Sequence, residues 1–254
     1  MAQLPLALQL YTVRDETARD FTGTLRNVAE MGYPAVEFAG YGGLPASQVA
    51  SLLAELGMQA ASTHLGFAAL DQRLDAELDF CQEIGCSYMV FAALPPEQRG
   101  EERVRSLIEW FNKVGGRCRE RGVIFAYHNH DFDFARSSDD RFLLDLLLES
   151  TDPTLVALEC DVYWAAFAGV DPVSYLQRWS GRVPLLHVKD MASDRRFTEV
   201  GDGTLDMSAI CRTASAAGTR WYVIENDQPR IPSLESARRS LEYLRGLLPI
   251  LGIQ

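Results

Sequence analysis

Lysine is almost missing from this chain: Lys113 and Lys189 are its only two, and the other basic residues are arginines. Histidine is scarce as well, with four in 254 residues. The cysteines stand at 81, 86, 118, 160 and 211, an odd number with no CxxC pair. That spacing excludes a disulfide framework or structural zinc knot and fits the reduced thiols of a cytosolic protein. No apolar run approaches membrane-spanning length, and Met1-Ala2-Gln3-Leu4-Pro5 lacks a basic region followed by a long apolar one. The expectation is a soluble, cytoplasmic protein. A formal net charge of -11 excludes nucleic acid as a partner and disfavours an anionic membrane surface. Phosphate-binding loops are lacking too. The stretch Glu199-Val200-Gly201-Asp202-Gly203-Thr204-Leu205-Asp206 has neither the Walker spacing nor a lysine. It reads as a mobile loop ending in Asp206 as a helix N-cap. The segment Asn226-Asp227-Gln228-Pro229 offers no glycine nest, which favours an unphosphorylated ligand.

What is present is an alternation. Short apolar, β-branched or aromatic runs cover 6–11, 35–38, 59–63, 88–91, 123–127, 156–158, 183–188 and 221–224. Between them lie amphipathic segments at 21–31, 46–56, 75–84, 101–121, 141–148, 172–179, 207–216 and 234–248. Gly32, Gly57, Gly85, Gly122 and Gly218 stand where helices would stop before the next strand. Continuous apolar runs suit parallel strands covered by helices. Eight strands and eight helices over residues 1–254 predict one (β/α)8 barrel domain. A doubly wound sheet is the rival, but the first turn, Leu10-Tyr11-Thr12-Val13-Arg14-Asp15, has no glycine.

In such a barrel the active site lies where the strands end. His64 follows the third run, His128 and His130 end the fifth, and His187 ends the seventh, so all four histidines fall at the mouth. The sixth run leads into Glu159-Cys160-Asp161 and the eighth into Glu225-Asn226-Asp227. Because side chains alternate along a strand, Glu159 shares a face with Asp161, His187 with Lys189, and Glu225 with Asp227. Inward-facing strands would aim Asp161, His187 and Glu225 at one point. Mixed carboxylate and imidazole donors suit one divalent ion: Mn, Co, Zn, Fe or Mg. Each residue also has an ordinary reading: a hydrogen-bonded strand-end histidine, Asp161 as a helix cap, Glu225 as a buried arginine partner. Lys189 could hold a substrate oxygen or move a proton, or simply pair with Asp190 or Glu159. Tyr11, Phe38, Phe91, Phe132 and Trp164 also fall at strand ends, where flat rings suit a sugar face; lid packing is the alternative.

Five segments resemble the xylose-isomerase-like barrel superfamily: Gln9-Leu10-Tyr11-Thr12-Val13-Arg14-Asp15, Tyr127-His128-Asn129-His130-Asp131-Phe132, Asp161-Val162-Tyr163-Trp164, His187-Val188-Lys189-Asp190 and Ile224-Glu225. The sugar phosphate isomerase/epimerase group is the most similar, with keto-sugar 3-epimerases and inosose dehydratases among its relatives. The resemblance implies one divalent ion held by Asp161, His187 and Glu225. His128 stands where the epimerases carry a fourth ligand, a Glu that also acts as acid/base, so the chain departs from a two-carboxylate mechanism. It further implies proton abstraction beside a carbonyl of a small keto sugar, with Glu225 as base and His128 or Lys189 on the opposite face. Tyr11, His64, His130 and Trp164 are the expected substrate-binding residues. Dehydration through the same chemistry is the alternative, and a non-catalytic sugar-binding barrel is the alternative of another class. A DNA-repair activity like endonuclease IV is disfavoured by four histidines and the acidic charge. Whether the chain forms a homo-oligomer is left open.

Overall fold

Eight short runs of buried residues form parallel strands that close on themselves. They are β1 (Leu6–Gln9), β2 (Ala35–Phe38), β3 (Gln59–Leu65), β4 (Tyr88–Phe91), β5 (Ile124–His128), β6 (Val156–Asp161), β7 (Leu185–Val188) and β8 (Trp221–Ile224). Each pairs with the next, and β8 returns to β1 with Ala7 beside Val223. This is the expected (β/α)8 barrel. The structure, a computed structural model, describes residues 4–253, so the reading of Met1–Gln3 lies outside it. Strand boundaries differ by a few residues from those read in the sequence. His64 and Asp161 lie inside β3 and β6 rather than after them, because polar residues at the mouth still find strand partners.

The helices that cover the barrel include Phe21–Met31, Ala46–Leu56, Glu101–Glu120 and Ser233–Ile250. Gly32 and Gly57 close the first two in the left-handed region, at φ 94° and 64°. A side chain there would crowd the backbone. Among the elements that escaped the sequence reading are helices Arg14–Thr17, Phe67–Gln72 and Val162–Phe167, and an antiparallel pair of Asp190–Met191 with Phe197–Thr198. All are too short to show a period.

Alternation along the strands divides the core in two. Ala7, Ala35, Ala61 and Val223 pack together, and Tyr88, Val90, Ala126 and Leu185 form a neighbouring cluster, with Trp221 against both. These mostly small side chains fill the narrow barrel interior. The opposite parity, including Leu6, Leu8, Phe38, Phe91 and Tyr127, joins the large core under the helices. Two readings are therefore corrected. Phe38 and Phe91 are fully buried outside the barrel, not at its mouth. Phe91 packs against Trp110, Phe111 and Tyr127, because each residue sits one register from an inward-facing neighbour. Above the interior layer the inward positions turn polar: Gln9, Glu37, His128, Glu159, His187 and Glu225. The pairing of β2 with β3 shifts register between Val36 and Glu37, which sets Ser62 beside Glu37.

Candidate metal centre and cavity

The polar residues form two tiers at the C-terminal mouth. In the lower tier Glu37 accepts hydrogen bonds from Gln9 Nε2 at 2.6 Å and from Ser62 Oγ. Its Oε1 also lies 2.6 Å from His187 Nε2 and 3.1 Å from His64 Nε2. Glu159 Oε2 is a hub for three imidazoles: His64 Nε2 at 2.6 Å, His128 Nδ1 at 2.9 Å and His187 Nε2 at 3.2 Å. In the upper tier Lys189 Nζ lies 2.9 Å from Asp161 Oδ2, 2.6 Å from Glu225 Oε2 and 2.8 Å from Asp227 Oδ1. The tiers meet at His187, whose Nδ1 is 2.9 Å from Glu225 Oε2. They meet again at His128, whose Nε2 is 3.7 Å from Asp161 Oδ2.

Burial sets the electrostatics and the neighbours decide each sign. Burial opposes charge on His64, yet Glu37 and Glu159 lift its pKa to about 10. His187 also rises well above its ordinary value against burial, through the same carboxylates. Burial would raise Glu37, but the two imidazoles beside it hold it well below the carboxylate range. Glu159 is raised, by burial and then by the charge of Glu37. His128 is pushed far down by burial and by the positive charge of its neighbours, so it is neutral. His130 falls to about 3, chiefly through burial and then through Lys189. Lys189 keeps its proton despite burial because three carboxylates surround it. Burial would raise Glu225, but Lys189 and His187 hold it ionised, whereas Asp227 rises to about 6 through burial and the charge of Glu225.

The structure brings the four expected ligands together: one donor atom each from His128, Asp161, His187 and Glu225 lies within 4.8 Å of the others. All four residues are buried. Asp161 divides its oxygens. Oδ1 caps the following helix through Trp164 N at 3.1 Å. Oδ2 is paired with the Lys189 ammonium at 2.9 Å and lies 3.7 Å from His128 Nε2. A buried set of two carboxylates and two imidazoles fits a divalent cation.

A cavity of about 430 Å³ opens above this cluster and is lined by Tyr11, His64, His128, His130, Lys189 and Glu225, among others. Tyr11, 45% exposed, forms part of its rim. Trp164 does not line the cavity. It stands 5.6 Å from the His130 ring and 5.9 Å from Lys189 Nζ, drawn back by Phe167 and Phe197. Phe132 likewise packs, against His130 and under Arg99. The alternative reading of Lys189, a pair with Asp190 or Glu159, is corrected to Asp161, Glu225 and Asp227. Asp190 instead accepts N–H groups of Met191, Gly201, Gly203 and Leu205 at 2.8–3.2 Å. It thereby fastens the stretch read as a mobile loop, and Asp206 does cap the next helix. Glu225 pairs with Lys189 rather than an arginine. Sequence reasoning passed over Glu37, whose signal was a carboxylate inside the apolar run Ala35-Val36-Glu37-Phe38. It also left Asp227, a cavity residue, without a role.

The sequence profile of the xylose isomerase-like TIM barrel family matches residues 25–247. The chain belongs to this family. An inosose dehydratase from Geobacillus kaustophilus is 26% identical over 246 residues, covering 80% of this chain and 79% of that protein. The crystal structure of a sugar phosphate isomerase/epimerase from Parabacteroides distasonis superposes with a TM-score of 0.84 at 26% identity, covering 96% of this chain and 94% of that one. The zinc-containing IolI structure superposes with a TM-score of 0.78 at 12% identity over 98% of this chain and 99% of that one, which shows a shared xylose isomerase-like fold alone.

Proposed function

We propose that the chain is a divalent-metal-dependent enzyme that removes a proton next to a carbonyl of a small, unphosphorylated keto sugar and returns it, as an epimerase or isomerase. The observation that carries this reading is the convergence of His128, Asp161, His187 and Glu225, from consecutive strands β5–β8, beneath a cavity that also holds Lys189. When bound, a divalent ion there supplies Lewis-acid polarisation of the carbonyl. Glu225 is the base: it lines the cavity and is held ionised by its neighbours. Lys189 presents a permanent ammonium to developing negative charge. Neutral His130 lines the cavity from the β5 side and Asp227 from the β8 side, so groups able to hold or return a proton stand on both. Tyr11 and His64 complete the walls, and about 430 Å³ accommodates a small polar ligand.

Elimination of water after the same proton removal is the second reading. The relatives named inosose dehydratase favour it, the first matching over four-fifths of this chain. One experiment separates the outcomes. The Mn-loaded protein is incubated in D2O with a panel of keto sugars and inososes, and products are followed by NMR. Deuterium incorporation with a changed stereocentre or carbonyl position supports the first reading, and loss of water supports the second. Glu225→Gln should abolish exchange. Exchange persisting at the wild-type rate would refute Glu225 as base, and a purified protein that takes up no divalent ion would refute the metal-dependent reading.

A further inference from the structure

We infer that Glu37 and Glu159 are positioning carboxylates that determine which imidazole nitrogen His187 and His128 turn toward the metal ion. This rests on the metal site proposed above. A neutral imidazole has one N–H, and the partner that takes this proton decides which nitrogen keeps a lone pair for a metal. His187 directs Nε2 to Glu37 at 2.6 Å and leaves Nδ1 on the side of Glu225. His128 is held in the opposite sense, with Nδ1 on Glu159 at 2.9 Å and Nε2 toward Asp161. A divalent ion that replaced the proton His187 Nδ1 shares with Glu225 at 2.9 Å, released to solvent, would leave the two histidines in opposite tautomers, each fixed by its neighbouring carboxylate.

The carboxylates are themselves fixed. Gln9 and Ser62 hold Glu37, while His64 Nε2 braces Glu37 at 3.1 Å and Glu159 at 2.6 Å. His64, His128, Glu159 and His187 also bring donor atoms within 4.8 Å of one another, which raises the question of a second ion in the lower tier. A short contact answers it. Donors bound at ~2.0–2.1 Å to a tetrahedral ion stand about 3.3 Å apart. The 2.6 Å separation of His64 Nε2 from Glu159 Oε2 is a hydrogen-bond length instead. The lower tier is a proton-held frame for the metal centre above it.

Histidine tautomers in the zinc-loaded wild type, read by 15N–1H NMR, test this without any substitution. The expected state is Nδ1–H with a zinc-bound Nε2 for His128, and Nε2–H with a zinc-bound Nδ1 for His187. The reverse assignment at either ring overturns the inference for that ring. Glu37→Gln and Glu159→Gln should each weaken Mn binding, measured by EPR titration, about 10- to 100-fold. Near-UV circular dichroism of the metal-free variants establishes that each retains the fold. Affinity within twofold of wild type in a folded variant refutes the role of that residue and leaves the metal site standing. A wild type that binds neither zinc nor Mn refutes the metal site itself, and the inference falls with it.

Discussion

Replacing Lys189 by Met tests the electrostatic logic of the mouth most directly. The ammonium is buried and lies within 3 Å of three carboxylates, those of Asp161, Glu225 and Asp227. At an effective dielectric of ~20, each contact is worth about 6 kcal/mol of gross Coulomb attraction. Desolvation offsets most of it, and removing one partner of a buried pair typically costs about 3–5 kcal/mol, because charge is left uncompensated. For a barrel of this size that corresponds to a fall in Tm of roughly 10 °C in EDTA. The deficit should shrink at low pH, where the stranded carboxylates can take up protons. It should also shrink when Mn is added, because a cation can replace the lost positive charge and Lys189 no longer opposes its entry. Thermal unfolding of both proteins in EDTA and in Mn, at pH 5 and pH 8, measures all of this. A metal-free variant within about 1 kcal/mol of wild type at pH 8 would refute the reasoning.

Asp133, away from the expected ligands, accepts a hydrogen bond from Tyr127 Oη and another from His130 N. Burial nevertheless pushes its pKa up to about 7. Between its unfolded value of ~3.9 and 7 the folded state holds a proton that the unfolded state has lost, so the stabilisation present at low pH disappears as pH rises. Wild type should therefore lose up to ~4 kcal/mol relative to Asp133→Asn across that window; parallel urea-unfolding profiles against pH would contradict the assignment. Asp190→Ala removes the acceptor of four backbone N–H groups and should cost about 2–4 kcal/mol, with faster proteolysis between residues 192 and 204. Unchanged cleavage there would mean that Asp190 does not restrain the loop.

The barrel was legible because its signals are local and repeated: an apolar run, a helical period, a glycine stop. The positions of the four histidines were legible too, since strand ends define the mouth. What escaped depended on parity or on contacts between distant strands. Phe38 and Phe91 stand at strand ends as Tyr11 does, yet they face the helices, and only their inward neighbours reveal this. Glu37 and Glu159 acquire meaning only when β2, β3, β6 and β7 close around a common centre. Pairing of Lys189 with Asp190 or Glu159 is the alternative that the sequence offers to a role at the ligand. The barrel instead carries its side chain to β6 and to the end of β8. The small antiparallel pair beyond β7 has two residues per strand, too few for any pattern.

The alanine-rich packing beneath the polar tiers has a kinetic consequence. Ala7, Ala35, Ala61, Ala126, Val90, Leu185 and Val223 are buried, and none can donate or accept a proton through its side chain. The opening that a ligand itself would cover is therefore the direct route by which hydrogen isotopes reach the reacting groups. A hydrogen taken by the base would stay sequestered while the ligand remains seated and could go back to the molecule it came from. Internal return should then compete with washout, and the measured ratio of the two would report how tightly the bound ligand seals the entrance.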